Sequence, residues 1–415
     1  MREKKNKVKI IIFAITIMMI ILACFIYQSN QAKSSDSNTI KIGIVTYYGY
    51  EPEVKLSFGV GTLLGAEAYI NKVNNHGGVN GKKISLIIKY TNTPDELEAI
   101  KSAEEILNNH QVVAFMFPFC KLQTRGIKKV LAQTQLPILF PVSGYGISDE
   151  SIFYDRPSYQ NEYDDHLENF LKTRPKNERI ALLTEKDEMC YNIRSTFLKS
   201  NQQFKKNIVA DIFYSNLSEF KKVLLTNSSR QEKIQSVKKY AKPIVEKIVN
   251  LKPDLVYFSS RISGSYIFRL FKNAKPMPEF VSISSYPIES HANLYKDIFK
   301  NNFYATTIFP IPSRAKNLQV MREFIEDMKS TNIKESELTT IMFEGYIGAR
   351  ILVETLKNAG ADLTHNKLKD TLENTSNLDI GGMKFSFTKN NHHGNNKSYF
   401  YKFILGNPTL INDNK

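Results

Sequence analysis

The chain has 415 residues, 42% of them hydrophobic, which is too long for one ordinary core and points to two or three domains. Its formal charge is +15, but five basic residues against Glu3 lie in the first nine positions. The rest of the excess is dispersed, with no Arg-rich tract or aromatic-interleaved basic stripe, which favours a solvated basic surface over nucleic-acid binding. Three cysteines are too few for a disulfide framework. Cys24 belongs to the leader, and Cys120 and Cys190 are either a pair or two buried free thiols.

Met1–Lys9 is basic, Ile10–Ala23 is apolar and uncharged, and Ile21-Leu22-Ala23-Cys24 follows, the pattern of an export signal. The last four residues resemble a bacterial lipobox, which would lipidate Cys24. Phe25-Ile26-Tyr27 prolongs the apolar run to about 18 residues, enough for an uncleaved anchor, and a soluble secreted form is the third reading. Lipidation is the preferred one. All three place the body outside the cytoplasmic membrane, because the positive end stays inside. Gln28–Asn38 reads as a polar tether.

The body begins with a βαβ unit. Ile40–Val45 reads as a buried strand. Leu63, Ala66, Ile70 and Val73 give Gly59–Asn75 one apolar helical face, ended by Gly77-Gly78. Asn80-Gly81 turns the chain into Lys83–Tyr90, apolar enough in its middle for a strand buried on both faces. A helix Pro94–Asn109, strand Val112–Phe117, helix Lys121–Gln133 and strand Pro137–Val142 continue the alternation. The spacing predicts a parallel sheet with helices on both faces. Ile152–Tyr159 reads as a crossing segment.

The pattern restarts with a helix near Glu162–Leu171, strand Arg179–Glu185, helix Met189–Ser200 and strand Asn207–Tyr214. Ser218–Lys239 is charged and poor in signals, an inserted helix or ordered loop. Strand Leu255–Ser260, helix Gly264–Asn273 and strand Phe280–Tyr286 close a second α/β set. Phe303–Phe309 is a strand or crossing, and helices are expected near Lys316–Lys329, Leu338–Asn358 and Lys367–Glu373. Gly381–Phe387 and Ser398–Ile404 alternate as a strand pair around Lys389–Lys397.

Several readings fall away on spacing. Gly59-Val60-Gly61…Gly65 has the wrong interval for a dinucleotide fingerprint, and no Walker A run or H-E-x-x-H is present. Val142-Ser143-Gly144 lacks the preceding Gly of a nucleophile elbow. His392-His393, in an Asn-rich turn without Cys or carboxylate neighbours, reads as a solvent loop and not a metal site. Nothing in the sequence brings Cys120 and His166 together as a nucleophile pair. No acid–base constellation is visible, so an enzyme is not expected, and no cofactor is.

Gly65–Ile88, GAEAYINKVNNHGGVNGKKISLII, follows the pattern G-A-x-x-A-x-x-x-x-N-x-x-G-G-V-N-G-x-x-I-x-L nearly position for position. With Pro137–Ser143, Lys252–Phe258, Phe343–Ala359 and the ending GGMKFSFTKNNHHG…KSYFYKF, it resembles the type I periplasmic solute-binding proteins, nearest to the branched-chain amino-acid binders of ABC transporters. The resemblance runs from about Thr39 to Ile411. It implies two Rossmann-like α/β lobes with parallel sheets, joined by a three-segment hinge and closing on a small solute. Residues 39–152 with 309–378 would form lobe 1, and 153–308 with 379–412 lobe 2, after a leader (1–24) and tether (25–38). The partners implied are a small-molecule solute and an ABC permease, with a monomeric chain in the periplasm or on the outer face of the cytoplasmic membrane. A tethered sensor on the same fold is the alternative.

By the same resemblance the solute meets strand-end loops. Tyr48 lies in the first, within Tyr47-Tyr48-Gly49-Tyr50. Phe119 and Cys120 follow the third strand, where the family usually has small hydroxyl residues, and Lys121 could add positive charge. Ser143, Gly144 and Tyr145 match the hydroxyl-bearing loop after the fourth strand, with Ser143 the leading contact. Tyr191 aligns with a Tyr at the head of a second-lobe helix, and Arg261 could pair with an anion. Ser284-Ser285 stands where amino-acid binders tend to place a carboxylate for the ligand ammonium. Ser285 is therefore a polar contact, and the missing acid leaves amino acids, carboxylates and amides all open.

Overall fold

The computed structural model describes residues 38–48, 58–215, 230–260, 264–286 and 302–411, with 289, 296–298 and 300 besides. The leader with Cys24, the tether and most of the 218–239 insertion lie outside the described residues.

The first half forms a five-stranded parallel sheet, ordered β2-β1-β3-β4-β5. Its strands are β1 (Thr39–Tyr47), β2 (Lys83–Thr91), β3 (Val112–Met116), β4 (Ile138–Leu139) and β5 (Ile152–Phe153). Alternation sorts their side chains onto two faces. Ile40, Ile42, Ile44, Ala114 and Met116 join one core with helices α1 (Phe58–Asn75), α8 (Gln319–Met328) and α9 (Thr340–Ala359). Val45, Phe115 and Ile138 join the other with α2 (Glu96–Asn109) and α3 (Lys121–Val130). The sheet is thus covered on both sides, as parallel strands require.

β2 departs from its doubly buried reading. It is the edge strand, and of its residues only Ile84 and Thr91 are buried. β4 is shorter than expected because Phe140 takes a left-handed backbone (φ 56°) directly before Pro141.

The second sheet has seven strands, ordered β14-β13-β10-β9-β8-β6-β7. β6 (Ile180–Glu185), β7 (Ile208–Tyr214), β8 (Leu255–Ser259), β9 (Glu279–Ser282) and β10 (Phe303–Thr307) are parallel, while β13 (Tyr399–Ile404) and β14 (Asn407–Leu410) add antiparallel. One face packs on α6 (Arg230–Asn250) and α7 (Gly264–Phe268). The other packs on α5 (Glu188–Ser200) and on α4, which runs from Tyr159–Glu162 through a π-helical turn Tyr163–Leu167 to Glu168–Lys172. Asp95, Ser158, Asp187 and Thr339 cap α2, α4, α5 and α9 through side-chain oxygens.

The expected C-terminal strand pair does not form. β12 (Met383–Phe385) pairs with β11 (Leu378–Ile380) across the Gly381-Gly382 turn, and β13 pairs with β10 and β14. Ile380, Met383, Phe385 and Phe387 sit in the first core, although a boundary at 379 would assign them to the second lobe. The helix α10 (His365–Glu373) packs beside them through Leu368 and Leu372.

Candidate functional site in the cleft between the lobes

β3 and β4 both end on a Phe-Pro pair. Phe117 (φ 55°) and Phe140 (φ 56°) are left-handed, and their rings lie 6.4 Å apart. Such backbone is costly for an aromatic residue and persists where packing over-determines it. Here both residues are buried in the first core, and they launch the loops 118–121 and 141–145 from neighbouring strand ends.

The first loop turns inward. The Phe119 N–H donates to Gln123 Oε1 (2.9 Å), and Gln123 Nε2 donates to Thr91 Oγ1 (2.7 Å). The Phe119 ring packs 5.6 Å from Tyr47. Cys120 stands at the N-cap of α3, with its thiol donating to the Pro94 carbonyl at 3.3 Å. The loop's amide and thiol are thus engaged by the first lobe itself.

The second loop reaches across. Ser143 is buried, and its Oγ accepts the Tyr145 N–H (3.2 Å). The Gly144 carbonyl accepts from the Tyr159 N–H of α4 (3.1 Å), and a Cβ on Gly144 would lie 2.7 Å from the Tyr159 ring. Tyr145 donates its hydroxyl to Glu188 Oε1 at 3.1 Å, and Lys121 Nζ lies 3.0 Å from the same oxygen and 3.9 Å from the Tyr145 ring centre. The Lys121 hydrogen bond holds the Glu188 carboxyl below its usual range. Burial works against the Lys121 charge, but Glu188 and Tyr145 outweigh it and raise the ammonium pKa.

The remaining expected residues scatter. Tyr48 is 59% exposed and packs edge-on against Tyr90, 5.5 Å away. Tyr191 is 44% exposed and packs against Phe213 of β7. Ser285 is buried, and its Oγ has no hydrogen-bond partner among the described residues. Arg261 lies outside the described residues. Cys120 and Cys190 are both buried and form no disulfide with each other. Cys120 bonds Pro94, while His166 stacks on Phe400, so the nucleophile pair does not form. Among the described residues no group of three metal-ligating side chains occurs.

The most concentrated chemistry lies where the chain crosses between lobes, at residues not singled out from sequence. Arg156, just past β5, donates from Nη1 to Glu344 Oε1 of α9 (3.2 Å) and from Nη2 to Ser284 Oγ (3.0 Å). Glu162 of α4 accepts from Ser284 N–H (3.0 Å), Ser284 Oγ (2.7 Å) and Thr306 Oγ1 (2.5 Å), with Arg156 Nη2 at 3.7 Å. A carboxylate therefore does stand beside Ser284, supplied from a helix and not from the strand end. Asp155, Glu162 and Glu344 are fully buried, and Arg156 is 4% exposed. The signals were present: Asp155-Arg156 interrupts an apolar crossing, and Glu344 sits alone in an apolar helical run.

The third crossing joins this cluster. His393 stacks on Tyr154 (4.7 Å) and its Nδ1 lies 3.2 Å from the Arg156 carbonyl. His392 stacks on Phe153 (4.0 Å), with Nε2 3.1 Å from Glu373. The histidines are packed against the hinge and do not form a solvent loop. Burial lowers the His393 pKa and favours the neutral ring.

A family profile, described as periplasmic binding protein, matches residues 39–407. No curated protein matches the chain. Among solved structures, a possible leucine/isoleucine/valine-binding protein from Rhodopirellula baltica is 17% identical with a TM-score of 0.72, covering 92% of this chain and 98% of that one. A fatty acid ABC transporter substrate-binding protein from Thermomonospora curvata is 18% identical with a TM-score of 0.71, covering 91% and 92%. A branched-chain amino acid ABC transporter protein from Thermus thermophilus with bound valine is 13% identical with a TM-score of 0.72, covering 90% and 96%. With nearly the whole body matched by the family profile and the two-lobed α/β fold shared with these structures, the chain belongs to the periplasmic binding protein family, whose members bind solutes and are not enzymes.

Proposed function

We propose that this chain is the exported solute-binding component of an ABC importer, a monomer anchored through lipidated Cys24, which closes two lobes on a small polar solute and presents the closed form to its permease. The observation that carries this reading is the facing of strand-end loops across the cleft. Ser143–Tyr145 of the first lobe meets Tyr159 and Glu188 of the second, at the C-terminal ends of parallel strands where open α/β sheets take ligands. Ser143, Gly144, Tyr145 and Ser285 are the assigned contacts, with Tyr48, Phe119, Cys120, Tyr191 and Arg261 around them.

The state of Glu162 bears on the solute class. Its oxygens already accept three hydrogen bonds, and Arg156 Nη2 lies 3.7 Å away, so Glu162 is committed to partners within the protein. A buried ligand ammonium needs an uncommitted counter-charge. Glu162 is therefore not the group that reads a ligand ammonium, which favours a solute whose recognised end is a carboxylate or amide over one paired with Glu162.

The test is a thermal-shift screen of the protein against amino acids, small carboxylates, amides, polyamines and short peptides. A solute at a hundredfold excess over Kd stabilises the folded state by about 2.7 kcal/mol. A shift lost in Ser143→Ala establishes the cleft and names the class. The second reading, a tethered sensor, draws on the Lys121–Tyr145–Glu188 contact, in which the protein's own side chains hold the lobes together. No shift across the library would favour it.

A further inference from the structure

The three crossings between the lobes converge on one buried charge cluster. Asp155 and Arg156 lie on the first crossing, Thr306 is the last but one residue of β10, which leads into the second, and His393 lies on the third. Glu344 enters from the first lobe on α9, and Glu162 with Ser284 from the second. Against three carboxylates, the cation set among them by the described residues is the single Arg156 guanidinium. Both Asp155 oxygens and Glu344 Oε2 are buried with no hydrogen-bond partner among the described residues. Tyr159 and neutral His393 complete the groups around Arg156.

One guanidinium cannot neutralise three buried carboxylates, and a surplus buried charge is expelled either by protonation or by hydration. Hydration requires the lobes to part, since Glu344 belongs to one and Glu162 and Ser284 to the other. We propose that the hinge is proton-linked: one proton shared by Asp155 and Glu344 accompanies lobe closure, so the cleft closes more readily as pH falls. The inference rests on the reading of the fold as a closing solute binder.

The direction follows from burial. Desolvation pushes the Glu344 carboxyl up to about 7 and raises the Asp155 carboxyl well above its ordinary value, with mutual repulsion adding to the Asp155 shift and Arg156 opposing it. In an open, hydrated hinge both return toward ordinary carboxylate values. Between those limits the closed form binds one more proton, and the closed-to-open ratio rises by up to about tenfold per unit fall in pH.

The experiment is inter-lobe energy transfer in the full chain without added solute. Fluorophores are placed on Leu97→Cys of the first lobe and Leu405→Cys of the second, both exposed, in a Cys24→Ser background where Cys120 and Cys190 stay buried. Expected is a rise in transfer between pH 8 and pH 5 with a one-proton slope, flattened at the closed value in Glu344→Gln and in Asp155→Asn, and retained in His393→Gln. A flat wild-type curve overturns the proposal. So does a slope that survives both carboxamide substitutions, or one that disappears in His393→Gln. Should a carboxamide variant fail to fold, the wild-type curve and the His393→Gln variant still decide. Because no solute is present, failure to find one in the thermal screen leaves this result untouched.

Discussion

Tyr145 and Glu188 meet across the cleft, hydroxyl to Oε1 at 3.1 Å, and Lys121 approaches the same carboxylate oxygen at 3.0 Å. Two side chains of the first lobe thus hold the head of α5 in the second. Glu188 is largely exposed, so the ion pair is screened and contributes about 0.2–1 kcal/mol. Glu188→Gln is expected to shift the lobes toward the open form by roughly twofold to fivefold in the closed-to-open ratio. Small-angle scattering checks it, as a larger mean radius of gyration than wild type. An unchanged radius, with the same response to salt as wild type, would remove the latch from the mechanism.

Arg156 ties Glu344, Ser284 and Glu162 into one buried unit. Arg156→Met leaves three buried carboxylates without their cation, and breaking a buried pair from one side costs about 3–5 kcal/mol. Adding Glu344→Met removes the worst of the uncompensated charge, so the double variant is expected to be more stable than Arg156→Met alone. Urea unfolding of the two proteins measures this coupling. Additive losses would mean that the two groups act independently.

The fold was legible where periodicity and turn chemistry coincide. Leu63, Ala66 and Ile70 are buried in α1 as their spacing requires, and Gly77-Gly78 end it with positive φ. The parallel sheets followed from the alternation of element types. What the residues alone did not show was long-range pairing. Nothing local in Tyr399–Ile404 distinguishes a partner at β12 from one at β10, and the choice is made by the second core, which takes Tyr401 and Phe403. The same holds for the site. Ser143–Tyr145 were visible as a strand-end loop, whereas Glu162 reaches Ser284 across 122 positions of chain.

The helices α1 and α9 cross at a contact made of glycines. A Cβ on Gly65 would lie 1.8 Å from the Met342 carbonyl oxygen, and one on Gly345 would lie 1.8 Å from that of Thr62. Both neighbours are backbone and cannot swing aside. Gly65→Ala and Gly345→Ala are each expected to force the helices apart and lose about 1–3 kcal/mol, the usual cost of overpacking. Gly77→Ala is a contrasting control: its Cβ would meet open space, so its cost comes from backbone conformation alone. Equal stability of Gly65→Ala and wild type in urea would show that this crossing is looser than its geometry.

Stability should also depend on pH through buried carboxyls. Burial raises Glu344 to about 7, against the opposing pull of Arg156, and raises Glu289 to about 7, against hydrogen bonds from Thr340 N–H (2.8 Å) and Oγ1 (2.7 Å). A carboxyl raised in the folded state binds its proton more tightly there than in the unfolded chain. Its contribution is therefore complete below about 4.5 and is lost as pH rises through about 7. His393 acts in the opposite sense, because its lowered pKa costs stability as pH falls below the ordinary imidazole range. The melting temperature is accordingly expected to fall as pH rises from about 4.5 to about 7, with His393 offsetting part of that fall below the ordinary imidazole range, and to level off above about 7. Glu344→Gln should flatten that decline by on the order of 1–3 kcal/mol. Melting curves from pH 5 to pH 9 for the two proteins decide the matter, and a fall between pH 5 and pH 7 unchanged by Glu344→Gln would place the titrating group elsewhere.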